Sequence, residues 1–294
     1  MKAPLASLIV EPGSRARLDR RDPAWDGGDS LRKLGHAEIE EALAQSVSEL
    51  AQAHELLWAS GRDALLIVLQ AMDAAGKDGT IRHVLSGVNP MGVDVVAFKA
   101  PSEEELLHDF LWRVARAMPP RGRMAIFNRS HYEEVTTLRV HPEWLAREGI
   151  EPAPKLWDER YESINGFERH ATRNGTTIVK LFLHVSRDEQ RRRLLARLEE
   201  PGKEWKFSAA DVAERAHWDE YMSAYEDAIS ATSTPWAPWY VIPADHKPLM
   251  RALVAQVIVA AIHALHPKPP TATPEQHAAN ERARAQLEAE GAGD

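Results

Sequence analysis

A chain of 294 residues with 44% hydrophobic and 27% charged residues has the size and balance of a globular protein with a filled core. It contains no cysteine, which excludes disulfides, zinc–thiolate centres and cysteine nucleophiles. A formal net charge of −8 argues against a general nucleic-acid binder, and no stretch approaches the ~20 apolar residues needed to cross a bilayer. The expectation is a cytoplasmic protein with neither a nucleic acid nor a membrane as partner; the early apolar run LASLIV is too short for a secretion signal.

Residues 1–35 are rich in Pro, Gly, Arg and Asp without a period and read as an extended N-terminal arm. From His36 to Ser60, the positions Ile39, Leu43, Val47, Leu50 and Leu57 share one helical face, which predicts an amphipathic helix. An alternation follows, with apolar strands predicted at 64–69, 93–98, 123–127, 177–185 and 238–242. Helices are predicted at 76–87, 103–117, 155–173, 187–199, 209–230 and 247–264. Ser102 with Glu105, Ser186 with Glu189 and Ser208 with Asp211 have the spacing of capping boxes. Near-continuous apolar strands alternating with helices define an α/β fold, a five-stranded parallel sheet covered on both faces, over a domain of residues 36–266. After Pro267 the chain is rich in Pro, Ala and Glu and reads as a flexible tail, 267–294.

Ligands of such sheets bind at the carboxyl ends of the strands. The first strand runs into AMDAAGKDGT (71–80), a small-residue loop with a lysine. Backbone N–H groups from Ala74 through Ala75, Gly76, Lys77, Asp78 and Gly79 to Thr80, with the Lys77 ammonium, suit phosphate, since larger side chains would block approach to the backbone. The strict phosphate-loop pattern G-x-x-x-x-G-K-[ST] fails twice, at Ala71 and at Asp78. Asp73 inside the loop is read either as a metal ligand, because a bare carboxylate would repel polyanions, or as a helix N-cap.

The strand ending at Phe127 leads to Asn128 and Arg129, where phosphoryl-transfer proteins often place a magnesium-orienting Asp and a phosphate-directed Arg. Glu133 is a candidate for the missing metal carboxylate, although Ser130-x-x-Glu133 is also a capping-box spacing. Residues 187–206 hold seven Arg or Lys, and a basic helix followed by a Pro-Gly stretch fits a lid over phosphates at about 187–207. Arg82, His83, Asn89, Lys99, Asp109 and Arg113 are polar groups that could meet an acceptor nucleotide, although each taken singly reads as ordinary surface. The thirteen histidines show no metal-site spacing.

The segments AMDAAGKDGT, RHVLSGVNPMG, FKAPSEEELLHDFLWR, FNRSHYEEV, LHVSRDEQRRRLLARL, EWKFS and WYVIPADHK together resemble the family-2 polyphosphate kinases, in order from about residue 30 to 265. The resemblance implies a three-layer, thymidylate-kinase-like phosphate-loop fold with a helical lid. It also implies phosphoryl transfer between inorganic polyphosphate and a nucleotide with Mg2+, or Mn2+ in its place, by a homo-oligomer. FNRSHYEE resembles the subgroup that accepts both nucleoside mono- and diphosphates, where other subgroups show FDRSWYNR. On that resemblance Asp73 is the metal-associated acid, Lys77 the phosphate ligand, Asn128 and Arg129 the second nucleotide-kinase motif, and Arg193, Arg197 and Lys206 the basic lid positions. The rival readings are an ATP-dependent small-molecule kinase of the same fold and a non-catalytic polyphosphate-binding module.

Overall fold

Eight consecutive apolar or neutral residues, ALLIVLQA, are all buried, so the segment they form must be covered on both faces and flanked on both edges. The computed structural model, which describes residues 5–26, 36–200, 202 and 207–291, makes this segment the sheet's central strand. The chain opens with α1 (Leu5–Leu8) and β1 (Ile9–Val10), continues through α2 (His36–Ser60) and enters that strand as β2 (Ala64–Ala71). Next come α3 (Lys77–Val84), β3 (Val93–Ala97), α4 (Glu103–Leu106), α5 (Trp112–Arg116), β4 (Met124–Asn128) and α6 (Thr137–Val140). The second half holds α7 (Leu156–Arg173), β5 (Thr176–His184), α8 (Arg187–Glu199), α9 (Ala209–Ala216) and α10 (Trp218–Thr232). It closes with β6 (Trp239–Pro243), α11 (Lys247–Ala264) and α12 (Pro274–Gly291).

The strand order is β1-β6-β5-β2-β4-β3, with every pairing parallel except that of β1 with β6. Helices α2, α3 and α11 pack on one side, and α6, α7 and α10 on the other, giving three layers. Although α11 is long and apolar enough by composition to cross a membrane, ten of its residues are buried, and it packs on α2, α3 and the sheet. Register places Asn128 beside Leu69 and Leu183 beside Ala71, so β2, β4 and β5 end side by side. That common edge positions the site.

Three expectations are corrected. The sheet has six strands, since Ile9–Val10 adds an antiparallel edge opposite Tyr240 and Trp239. Two residues carry no readable period, and this strand is held from outside itself: the Arg21 guanidinium donates to the carbonyls of Ser7, Leu8, Ile9 and Ala16. Residues 274–291, expected as a flexible tail, form the fully exposed helix α12. Its Ala, Glu, Gln and Arg favour helix, and Thr273 and Gln276 exchange capping hydrogen bonds at its start. The helices expected at 103–117 and 209–230 are each broken: Asp109 accepts from the Leu111 N–H, and the chain turns at His217.

Under the site, between β5 and the α7–α10 layer, lies a buried charge network. Lys180 Nζ donates to Glu168 Oε2 (2.6 Å), to the Thr232 carbonyl (2.6 Å) and to the Tyr132 hydroxyl (3.0 Å). Tyr132 donates to Glu168 Oε1 at 2.9 Å, and His131 Nε2 lies 3.4 Å from the same oxygen. Neither Lys180 nor Glu168 reaches solvent. Removing one partner strands the other in a dry interior, so Lys180→Met should cost about 3–5 kcal/mol in denaturant unfolding. A loss below about 1 kcal/mol would show that the pair does not hold this layer to the sheet.

Candidate active site

At the end of β2 the chain makes a tight loop before α3. Ala74 and Gly76 take positive φ angles of 59° and 110°, and Gly76 stands at the helix N-cap position with no side-chain cap. A left-handed alanine is costly and is held by its surroundings. Asp73 therefore does not cap α3; its carboxylate Oδ1 accepts from Arg129 Nη2 at 2.7 Å. Arg129 sits just beyond β4, with φ of 63° and its N–H bonded to the Leu69 carbonyl. Its other nitrogen, Nη1, lies 3.8 Å from Glu133 Oε2. The Glu133 and Asp73 charges outweigh burial and hold the Arg129 pKa above its ordinary value, Glu133 contributing most.

Ser130 resolves the capping-box alternative for Glu133. Its hydroxyl accepts from the Tyr132 N–H and leaves the Glu133 side chain free to turn toward Arg129. There Glu133 accepts from the Thr137 hydroxyl at 2.7 Å. With its amide oriented to satisfy both ends, Gln70 donates to Glu133 Oε1 at 3.0 Å and accepts from Ser130.

Lys77 is buried, and its Nζ donates to the carbonyls of Ala71 (2.8 Å) and Met72 (3.3 Å); burial lowers its pKa against the pull of Asp73. The neutral Asn128 donates to Asp78 Oδ1 at 2.7 Å, so a loop carboxylate stands beside the strand end that lacks one of its own. Thr80 is buried and donates to the Gly76 carbonyl.

Asp73, Arg129 and Glu133 face a cavity of about 230 Å3. Its other walls are Thr137, Trp144, Gln190, Tyr221, Tyr225 and, from α9, Ala210, Asp211 and Glu214. Helix α9 is tied down at several points. Glu214 Oε2 accepts from His141 Nε2 (2.9 Å) and from the Tyr221 hydroxyl (2.6 Å), and His141 stacks on Trp144. Asp211 pairs with Arg197 at 2.9 Å, and burial followed by the Asp73 charge raises its pKa. Arg215 donates to the Arg187 carbonyl and to Gln190, whose amide in turn reaches the Asp73 carbonyl at 3.0 Å. One chain of hydrogen bonds thus joins the α9 layer to the loop after β2.

The sequence-predicted residues divide accordingly. Asp73, Arg129 and Glu133 meet at the cavity, with Asn128 and Asp78 alongside. Asn89 does not join them: it caps the turn before β3, at the opposite end of the sheet, and donates to Glu55 of α2. Arg113 is buried and braces Glu134 and the Lys99 carbonyl, and Asp109 serves the turn at Leu111. Lys99 is exposed just past β3; His83 Nδ1 contacts the Gly79 carbonyl, and Arg82 lies beside it on α3. Arg193 points inward to backbone carbonyls, and Arg197 is engaged by Asp211. Lys206 lies outside the described residues, and the cavity roof is α9, beyond the expected lid at 187–207. His141, Trp144, Glu214, Tyr221 and Tyr225 carry no motif and were invisible in chain order.

Four carboxylates and one guanidinium line this cavity, an excess of hard oxygen donors that suits Mg2+ or Mn2+. Among the described residues no three His, Asp or Glu side chains converge as a closed metal cage. Asp73 and Glu133 are the carboxylates that could hold such an ion, with the rest of its shell to come from phosphate and water.

A parallel α/β sheet with this strained small-residue loop, an Arg at the neighbouring strand end and a helical roof defines a phosphate-loop kinase. The profile of the polyphosphate kinase 2 family matches residues 33–270, and the chain belongs to that family. An ADP-polyphosphate phosphotransferase of Rhodopseudomonas palustris is 53% identical over 238 residues, covering 80% of this chain and 82% of its own. An AMP/ADP-polyphosphate phosphotransferase of Meiothermus ruber is 46% identical over 271 residues, covering 90% and 96%. The crystal structure of polyphosphate kinase 2 from Arthrobacter aurescens TC1 superposes with a TM-score of 0.87 at 41% identity over 97% of each chain.

The ties to α9 generate a prediction. Tyr221→Phe combined with Glu214→Gln should raise amide hydrogen exchange across Ala209–Ala216 by at least about tenfold while β2 and β5 stay protected. Unchanged exchange in α9 would mean that His141, Glu214 and Tyr221 do not hold the roof.

Proposed function

We propose that this protein transfers phosphoryl groups from inorganic polyphosphate to nucleoside mono- and diphosphates, converting AMP to ADP and ADP to ATP. In this reading it is a cytoplasmic homo-oligomer that needs Mg2+, or Mn2+ in its place. The observation that carries the proposal is the meeting of Asp73, Arg129 and Glu133 at one cavity beside the β2 loop. The name of the Meiothermus ruber relative supports the pair of acceptors; that of the Rhodopseudomonas palustris relative specifies ADP alone.

The loop amides hold the donor chain's phosphates, with the buried charge of Lys77 supporting them from behind the loop, and Arg129 faces charge that builds on the transferring group. Asp73 and Glu133 would hold the divalent ion, which would supply neutralisation of phosphate charge. Transfer is direct and in line, without a covalent enzyme intermediate, because a loose transition state asks mainly for positioning and charge. Helix α9 shields the reacting group from water and so suppresses hydrolysis. Glu133 sets acceptor choice: placed 3.8 Å from Arg129, it adjusts how much negative charge the cavity tolerates from the acceptor.

Purified protein given long-chain polyphosphate, AMP and Mg2+ should form ADP and then ATP. ATP accepted as donor while polyphosphate is refused would support the small-molecule kinase, and binding of polyphosphate without product over a range of metals would support the non-catalytic module. Glu133→Asn should change the ratio of AMP- to ADP-dependent rates by roughly tenfold, about 1.4 kcal/mol, with little change in melting temperature. A drop in stability with the ratio unchanged would return Glu133 to a structural role.

A further inference from the structure

One arginine of α8 does something that its charge alone does not announce. Arg193 is 7% exposed and uses all three of its nitrogens. Nε donates to Glu189 Oε1 at 2.7 Å, one helical turn back. Nη1 donates to the Ala75 carbonyl at 2.5 Å, with the Ala74 carbonyl at 3.4 Å. Nη2 donates to the Ala244 carbonyl at 2.6 Å and lies 3.1 Å from that of Asp245. One planar fork therefore ties the phosphate-facing loop after β2 to the turn after β6 and to its own helix.

The carbonyl of Ala75 and the N–H of Gly76 belong to one rigid peptide plane and point in opposite directions. Drawing that carbonyl toward Arg193 turns the Gly76 N–H away from α8. The same contact sits between the two left-handed residues of the loop, Ala74 and Gly76. A Cβ added at Gly76 would come within 3.6 Å of Nη1, so the guanidinium also lies close against the loop's tightest point. With its nitrogens given to carbonyls and to Glu189, this side chain is not directed at the cavity that Asp73, Arg129 and Glu133 line.

We propose that Arg193 is a positioning residue for phosphoryl transfer: it acts through the conformation of the loop backbone, and its charge does not bind the polyphosphate donor. This rests on the kinase reading above. Lysine keeps the charge but cannot bridge two separate carbonyl groups and a carboxylate with a planar fork. Displacement of loop amides by about 1 Å can cost on the order of 100-fold in rate.

The test is Arg193→Lys and Arg193→Ala in the full-length protein, assayed for kcat and for KM of polyphosphate, with melting temperature and loop hydrogen exchange alongside. Positioning predicts that Arg193→Lys loses about 100-fold in kcat while KM for polyphosphate changes less than about threefold. It also predicts faster exchange at Gly76 to Gly79, and partial recovery of Arg193→Ala by millimolar guanidinium. A lysine variant that keeps its kcat but shows a raised, more salt-dependent KM would overturn the proposal and make Arg193 a donor contact. If the Arg193 variants fail to fold, Glu189→Gln carries the test, because Glu189 reaches the loop only through Arg193. Its kcat should fall severalfold at constant KM with a larger exchange rate in the loop, and a wild-type kcat would overturn the proposal. Absence of any turnover in the unsubstituted protein would instead remove the kinase reading on which the proposal stands.

Discussion

The site depends on a charge constraint: one guanidinium, Arg129, must serve two carboxylates, Asp73 at 2.7 Å and Glu133 at 3.8 Å, at the edge of a single cavity. Three chain segments have to meet for this to occur. Asp73 is delivered by the loop after β2, Arg129 by the end of β4 and Glu133 by the turn that follows it. Parallel pairing of β2 with β4, with Leu69 opposite Asn128, brings the first two together, and the Arg129 N–H seals the join on the Leu69 carbonyl. With Asp211 and Glu214 added by α9, negative charge exceeds positive in the cavity lining. Such a balance attracts cations and makes the pocket a poor place for a bare polyanion, which is why a divalent ion and a polyphosphate suit it together.

The loop itself is built for close approach to backbone and is held from behind. Lys77 and Arg193 both donate to carbonyls on its inner side. Buried carbonyls need such partners, and once they are satisfied the peptide planes are set in one orientation. From the other side, Gln190 links the Asp73 carbonyl to Arg215 of α9. The helical roof and the loop are thereby joined by hydrogen bonds.

Much of this architecture was legible before any coordinates. Four of the five parallel strands announce themselves as apolar runs because they are largely buried, and Ala64–Ala71 is the extreme case; β3, at the sheet's edge, is half-exposed. The antiparallel edge Ile9–Val10 was hidden, since its stability comes from Tyr240 and from Arg21 and not from a pattern of its own. Within the site, Asp73, Asn128, Arg129 and Glu133 sit in contiguous motifs at strand ends, where topology brings neighbouring strands together. Trp144, Glu214 and Tyr221 come from helices and turns whose placement over the cavity is decided by tertiary packing, and no local spacing marks them. Arg193 was legible as a cation and misleading as to direction. The signal available was that Arg193 and Leu194 lie three and four residues after Gln190 on the buried face of α8, whereas Arg187, Arg191 and Arg192 are exposed.

The central claim is that the acid inside the phosphate-facing loop is chemical and not a helix cap. Asp73→Asn keeps size and hydrogen-bonding capacity while removing the charge that faces Arg129. Steady-state turnover of this variant with polyphosphate, an acceptor nucleotide and Mg2+, measured beside its melting temperature, tests the account most directly. Turnover should fall by at least about 1,000-fold, on the order of 4 kcal/mol in transition-state stabilisation, in a protein that melts near the unsubstituted one. Turnover within a few-fold of the unsubstituted protein would contradict it.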